Sequence, residues 1–218
     1  HRIKWGADYK YHTFTPTSVT AQNDTTVFDT GAAQKLYSHE VAAYVLDEFD
    51  LNDQLRLNVG LRYSAFAHVG PFTRYVKGDG ISTQDTTIQY NRGDLIKFYH
   101  GLEPRVSLRW LLPDNSSIKA GYAYNYQYVH LTSLSAVSLP TDIWFPTTDI
   151  AKPEKGWQGS VGYFRNFLND KFESSVEVYY KGMKNLIEFK EGALPGDNVS
   201  DNTDNLLVFG EGWAYGIE

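Results

Sequence analysis

The side chains best suited to chemistry in this sequence are five histidines, because imidazole titrates near neutral pH and ligates metals and haem iron. His12, His39, His68, His100 and His130 all fall where alternating segments begin or end. His12 and His68 take the polar parity of their segments, whereas His100 and His130 take the apolar parity. A single metal or haem cannot easily gather side chains from both faces of a strand, so the five read as rim histidines at an interface. Glu173 and Glu177 sit at even spacing on one strand face, but nothing beside them marks an acid–base dyad. The charges at Lys4, Asp8, Arg62, Glu103, Arg105, Arg109, Lys119, Glu173 and Glu177 either line a substrate path or pair across neighbouring strands, and the pairing reading is the simpler. In a proline-containing stretch, Asp142, Trp144 and Phe145 are the candidate ligand contacts, set against a purely structural crossing between strands. No phosphate-cradling Gly loop, zinc motif or Ser-His-Asp pattern is found. The chemistry is therefore expected to be binding or transport, with no enzyme activity and no cofactor.

These residues have to be positioned by strands. In Gln54-Leu55-Arg56-Leu57-Asn58-Val59-Gly60-Leu61-Arg62-Tyr63 the apolar and polar residues alternate, giving one face to each. Similar alternation marks residues 2–14, 98–112, 118–128 and 172–181, and strands are also expected over 36–51, 54–66 and 156–168, with an eighth starting near the C-terminal residue. Asn52-Asp53, Pro113-Asp114-Asn115 and Asn169-Asp170 read as tight turns. The stretches 15–34, 68–97 and 131–155, with a last polar stretch before the eighth strand, read as long loops. Tight turns on one edge, long loops on the other and two-faced strands predict an all-β, antiparallel transmembrane β-barrel segment of about eight strands. On this reading Leu55, Leu57, Val59, Leu61, Val176 and Val178 face outward, and Asn58, Arg62, Glu173 and Glu177 face the concave side. The strand tyrosines, with Trp5 and Trp110, then form an aromatic girdle rather than a sugar-binding platform.

Composition narrows the classes. No run is apolar enough for a membrane-spanning helix, and a mean hydropathy of -0.42 suits a barrel whose strands turn only every second residue to lipid. A net charge of -6 argues against a nucleic-acid partner. With Cys 0, disulfides and Cys-ligated metals are excluded. A chain opening at His1 and closing inside an alternating pattern is expected to be a segment of a larger protein.

Several motifs in order resemble one family. Ala43-Tyr44-Val45-Leu46-Asp47-Glu48-Phe49 followed by residues 55–63 looks like a hairpin of TonB-dependent outer-membrane receptors. Glu103-Pro104-Arg105-Val106-Ser107-Leu108-Arg109 and Ser117-Ile118-Lys119-Ala120-Gly121-Tyr122 resemble their next two strands. Leu139-Pro140-Thr141-Asp142-Ile143-Trp144, Ile150-Ala151-Lys152-Pro153-Glu154, Glu177-Val178-Tyr179-Tyr180-Lys181 and the segment from Gly210 to Glu218 are similar to the Bacteroidetes branch. The resemblance implies a plugged barrel of about 22 strands, of which residues 1–218 form part, without the plug domain and TonB box. It implies a Gram-negative outer-membrane address and active uptake of a scarce ligand such as an iron chelate, glycan or peptide. The implied partners are outer-membrane lipid, the TonB complex through an N-terminal part not in this sequence, a small extracellular ligand and a surface lipoprotein. O-glycosylation at Thr25 and Thr86 is a further implication. A passive porin or structural barrel, and a soluble carbohydrate-binding β-sandwich, are the alternatives.

Overall fold

The computed structural model describes residues 1–15, 34–78, 85–113, 115–132, 143–168, 171–191 and 202–218. The strands are β1 (Arg2–Phe14), β2 (Leu36–Asp50), β3 (Leu55–Val69), β4 (Phe72–Val76), β5 (Thr86–Tyr90), β6 (Leu95–Leu112), β7 (Ser116–Gln127), β8 (Val129–Thr132), β9 (Ile143–Pro146), β10 (Glu154–Phe167), β11 (Phe172–Phe189) and β12 (Leu207–Ile217), with a 3-10 turn at Thr203–Leu206. The eight long strands form one sheet in the order β1-β2-β3-β6-β7-β10-β11-β12, each antiparallel to its neighbours. Pairing fixes the ends. Asp50 lies opposite Arg56, Leu112 opposite Ser116 and Phe167 opposite Phe172 at one edge. Phe14 lies opposite Leu36, Val69 opposite Leu95, Gln127 opposite Glu154 and Phe189 opposite Leu207 at the other. The short connections thus share one edge and the long ones the other, as the sequence predicts.

Two expectations need correction. The first turn is four residues, 51–54, not two: Asn52 Oδ1 accepts the N–H groups of Gln54 and Leu55, both at 2.9 Å, and Leu51 N–H donates to the Leu55 carbonyl at 2.8 Å. Stretches 68–97 and 131–155 are not plain loops, because each carries a short hairpin, β4–β5 and β8–β9. The turn residues Asp114, Asn169 and Asp170 lie outside the described residues, as does Thr25; Thr86 is exposed at the start of β5.

The sheet is amphipathic in the inverse sense to a soluble protein. Val59, Leu61, Val106, Val161, Val176 and Val178 are 39–57% exposed on one face, and among the described residues no second sheet covers them. Arg62, Ser64, Phe66, His68 and Glu103 occupy the opposite face. Trp157 stacks on Tyr180 and Trp213 on Tyr215 at 5.3 and 5.6 Å. Buried apolar side chains gather not beneath the sheet but at its long-connection edge: Leu36, Phe72, Phe145, Ala151, Phe189 and Leu207. Burying side chains of this size contributes roughly 1.5–3 kcal/mol each. The β8–β9 hairpin reaches β11 on one side and β1 on the other, so the sheet curls around it.

β7 departs from β6 above the Arg105–Ala123 pair and continues against β10 alone. That divergence turns two tyrosines of apolar parity onto the polar side. Tyr126 lies over Gly101, where a Cβ would meet its Cε2 at 2.3 Å, so only glycine leaves room for the ring. Tyr128 is 3% exposed, stacks on Phe66 with ring centroids 5.2 Å apart, and shares a 2.9 Å hydrogen bond with Ser64 Oγ.

Candidate functional site

The polar side carries two linked networks, one along the strands and one at the long-connection edge. The first centres on Glu103, 1% exposed, directly opposite Arg62. Arg62 Nη1 donates to both its carboxylate oxygens at 3.0 and 3.1 Å, and Ser64 Oγ donates at 2.5 Å. The neighbouring pair is Glu40 with His12, whose Nε2 lies 3.1 Å from Oε2. A buried carboxylate requires this degree of pairing. Of the nine charges named from the sequence, Arg62 and Glu103 pair across β3 and β6, whereas Asp8 meets Lys10 of its own strand; Arg56 and Asp50 pair as well, at 2.7 Å.

The second network forms a roof over the curl. Arg74 of β4 donates through Nη1 to Asp204 of the 3-10 turn at 2.7 Å and through Nη2 to Asp149. Burial opposes the Arg74 charge, but hydrogen bonding and attraction from Asp204, then Asp149, outweigh it and raise its pKa. Thr148 Oγ1 donates to Asp204 Oδ2 at 2.6 Å and accepts the Ala151 N–H at 3.0 Å. Tyr99 of β6 donates to the Thr148 carbonyl at 2.9 Å. Side chains also replace a missing strand along the free edge of β4. Gln34 Oε1 accepts the Thr73 N–H at 2.7 Å, Asn202 Oδ1 accepts the Tyr75 N–H at 2.7 Å, and both amides donate to the Thr73 carbonyl. Four excursions far apart in sequence, carrying Gln34, Arg74, Asp149 and Asp204, are thereby joined by one arginine and two amides.

Between the β4–β5 hairpin, the 147–151 segment and the 3-10 turn lies a cleft of about 560 Å³, lined by Arg74, Tyr75, Lys77, Tyr90, Asp149 and Lys190 among others. Lys190 Nζ donates to the Asn205 carbonyl at 2.7 Å at its edge.

The expected site residues separate. Trp144 is 60% exposed on β9, whereas Phe145 is 4% exposed in the apolar cluster, and Asp142 lies outside the described residues. The histidines do not converge. His39 meets Tyr9 at 2.9 Å, and His100 packs against Tyr63 and Phe98. His68 is fully buried with Phe72 at its edge. His130 corrects its parity assignment: it is 1% exposed, between Glu154 at 3.1 Å and Thr147 at 3.2 Å. Past the irregular Tyr128 it belongs to the separate β8–β9 hairpin, where the parity of β7 no longer applies. Among the described residues no group of three or more His, Asp or Glu could hold a metal ion.

Comparison with known proteins gives concordant results. The family profile described as "TonB dependent receptor-like, beta-barrel" matches residues 1–218. No curated protein sequence matches the chain. Among solved structures, the chain is similar to the ferric-catecholate import receptor Fiu from Escherichia coli K12, with 14% identity over 99% of this chain and 31% of that one and a TM-score of 0.53. It is similar to the Serratia marcescens hemophore receptor HasR, solved with its hemophore HasA and heme, with 9% identity over 99% and 38% and a TM-score of 0.52. The alcaligin outer-membrane receptor FauA from Bordetella pertussis matches with 18% identity over 84% and 27% and a TM-score of 0.46. The chain thus spans 27–38% of the length of these receptors. At such identities the likeness is one of fold, and it does not select the Bacteroidetes branch.

Proposed function

Because the chain belongs to the TonB-dependent receptor β-barrel family, whose members reside in the Gram-negative outer membrane, we propose that it forms the ligand-capturing barrel portion of an active uptake receptor. The observation that carries this is the inverted sheet: its aliphatic face is exposed, while its polar face holds paired charges and a braced roof at the long-connection edge. Such a sheet separates lipid from an aqueous interior. In this reading the roof faces the outside medium and meets a small, scarce ligand. Trp144, exposed on β9, contacts that ligand, and buried Phe145 anchors the strand; Asp142 completes the proposed contact set. Energy comes from the TonB complex, reached through a part of the receptor outside residues 1–218, and a surface lipoprotein assists capture. The chain performs no catalysis.

The test compares spent medium from the source bacterium with medium from strains lacking this gene or the TonB energy transducer. Both deletions are expected to leave the same compound unconsumed. Uptake that needs this gene but not TonB would instead indicate a passive pore.

A further inference from the structure

We propose that the cleft between the β4–β5 hairpin, the 147–151 segment and the 3-10 turn is a subsite for an anionic ligand with a flat apolar or aromatic part. This rests on the receptor reading above and names the chemistry of what is captured. The whole chain carries a net charge of -6. Yet the cleft is lined by Lys77 and Lys190 in addition to Arg74, whose charge Asp149 and Asp204 already take up. A basic concavity on an acidic protein concentrates anions locally and repels them elsewhere. The Asp149 carboxylate is engaged as the acceptor of Arg74 Nη2. The head of Lys190 is fixed rather than waving: the Asn205 carbonyl takes one of its protons at 2.7 Å, leaving two to donate. Holding an ammonium in place before binding reduces the ordering cost of a charge-assisted hydrogen bond. Tyr75 and Tyr90 are among the residues lining the cleft, and aromatic walls with a few placed charges suit a partly apolar anion. The floor is rigid because Arg74 ties it to Asp204 at 2.7 Å and the two amides hold β4. Carboxylate and phosphate share the recognising chemistry.

The test uses the full-length receptor in detergent and two fluorescent probes with the same ring frame and opposite charge, 5-carboxyfluorescein and rhodamine 123. The anionic probe is expected to bind and the cationic one not. The double variant Lys77→Gln, Lys190→Gln keeps polar side chains at both positions and should weaken carboxyfluorescein binding by about tenfold or more, since it removes two positive charges from the lining. Citrate displacing the probe identifies carboxylate recognition, and inorganic phosphate displacing it identifies phosphate. Equal binding of rhodamine 123, unchanged affinity in the double variant, or displacement by neither anion would overturn the proposal. TonB-dependent depletion of the medium is read in parallel. If it persists while probe binding fails these criteria, the subsite alone is wrong; if TonB dependence itself is absent, the receptor reading is wrong.

Discussion

Replacing Arg74 with Met is expected to unfasten the roof while leaving the barrel strands folded. The guanidinium is 4% exposed and Asp204 is 1% exposed, so the substitution strands a buried carboxylate whose cation is gone. Breaking one side of a buried ion pair costs about 3–5 kcal/mol, most of it the desolvation of the group left behind. That loss falls on the contacts joining β4, the 147–151 segment and the 3-10 turn, because these three meet at Arg74. In whole cells, limited proteolysis should cut the variant within the long connections far faster than the wild type. The temperature at which the receptor loses its compact electrophoretic mobility should change little, since the long strands pair independently of Arg74. Adding Asp204→Asn to Arg74→Met should restore part of the protease resistance by removing the stranded charge. Equal protease sensitivity of wild type and Arg74→Met would show that the ion-pair cluster does not hold the roof.

The second large effect concerns the lipid-facing side. Leu61 sits mid-strand opposite Val45 and Pro104 and is 44% exposed. On a soluble protein an arginine at so exposed a position would be tolerated to within about 0.5 kcal/mol. On a barrel it places a charge in hydrocarbon, at a cost of about 2–4 kcal/mol near the midplane. Leu61→Arg should therefore markedly reduce the fraction of receptor recovered folded in outer-membrane extracts. Asn58→Arg, on the opposite face and paired with Glu48 on β2, should be recovered near the wild-type level. Reversal of this order would mean that the two faces have been assigned the wrong way round.

Alternation made the long strands legible. Leu55 to Tyr63 states both the strand and its two faces, because a period of two has a single solution once one face meets lipid. What the sequence hid depended on longer-range geometry. Phe72-Thr73-Arg74-Tyr75-Val76 and Ile143-Trp144-Phe145-Pro146 are too short to show a period, and residues 77–85 and 133–142 separate them in sequence from their partners. Tyr126, Tyr128 and His130 share the apolar parity of the segment from Ile118, but parity holds only while pairing is continuous, and β7 leaves β6 below them. Gln34, Asn202 and Asn205 act as a surrogate strand edge, a role their residue types allow and no local pattern announces. The roof was invisible for a simpler reason: Arg74 lies 75 residues from Asp149 and 130 from Asp204. One signal pointed there, an arginine at the same parity as Phe72 and Val76 inside a supposed loop.

The central claim is that the aliphatic face meets lipid and the polar face meets the aqueous interior. With Cys 0 in the sequence, single cysteines can be placed at residues 57 through 63 and spin-labelled without a background thiol in this chain. Electron paramagnetic resonance of the full-length receptor in lipid bilayers then compares collision with oxygen, which partitions into hydrocarbon, against collision with a water-soluble nickel chelate. The ratio of oxygen to nickel accessibility should oscillate with a period of two, high at 57, 59, 61 and 63 and low at 58, 60 and 62. Low oxygen accessibility at the odd positions, as for side chains packed beneath another protein layer, or an oscillation of opposite phase, would contradict the membrane barrel.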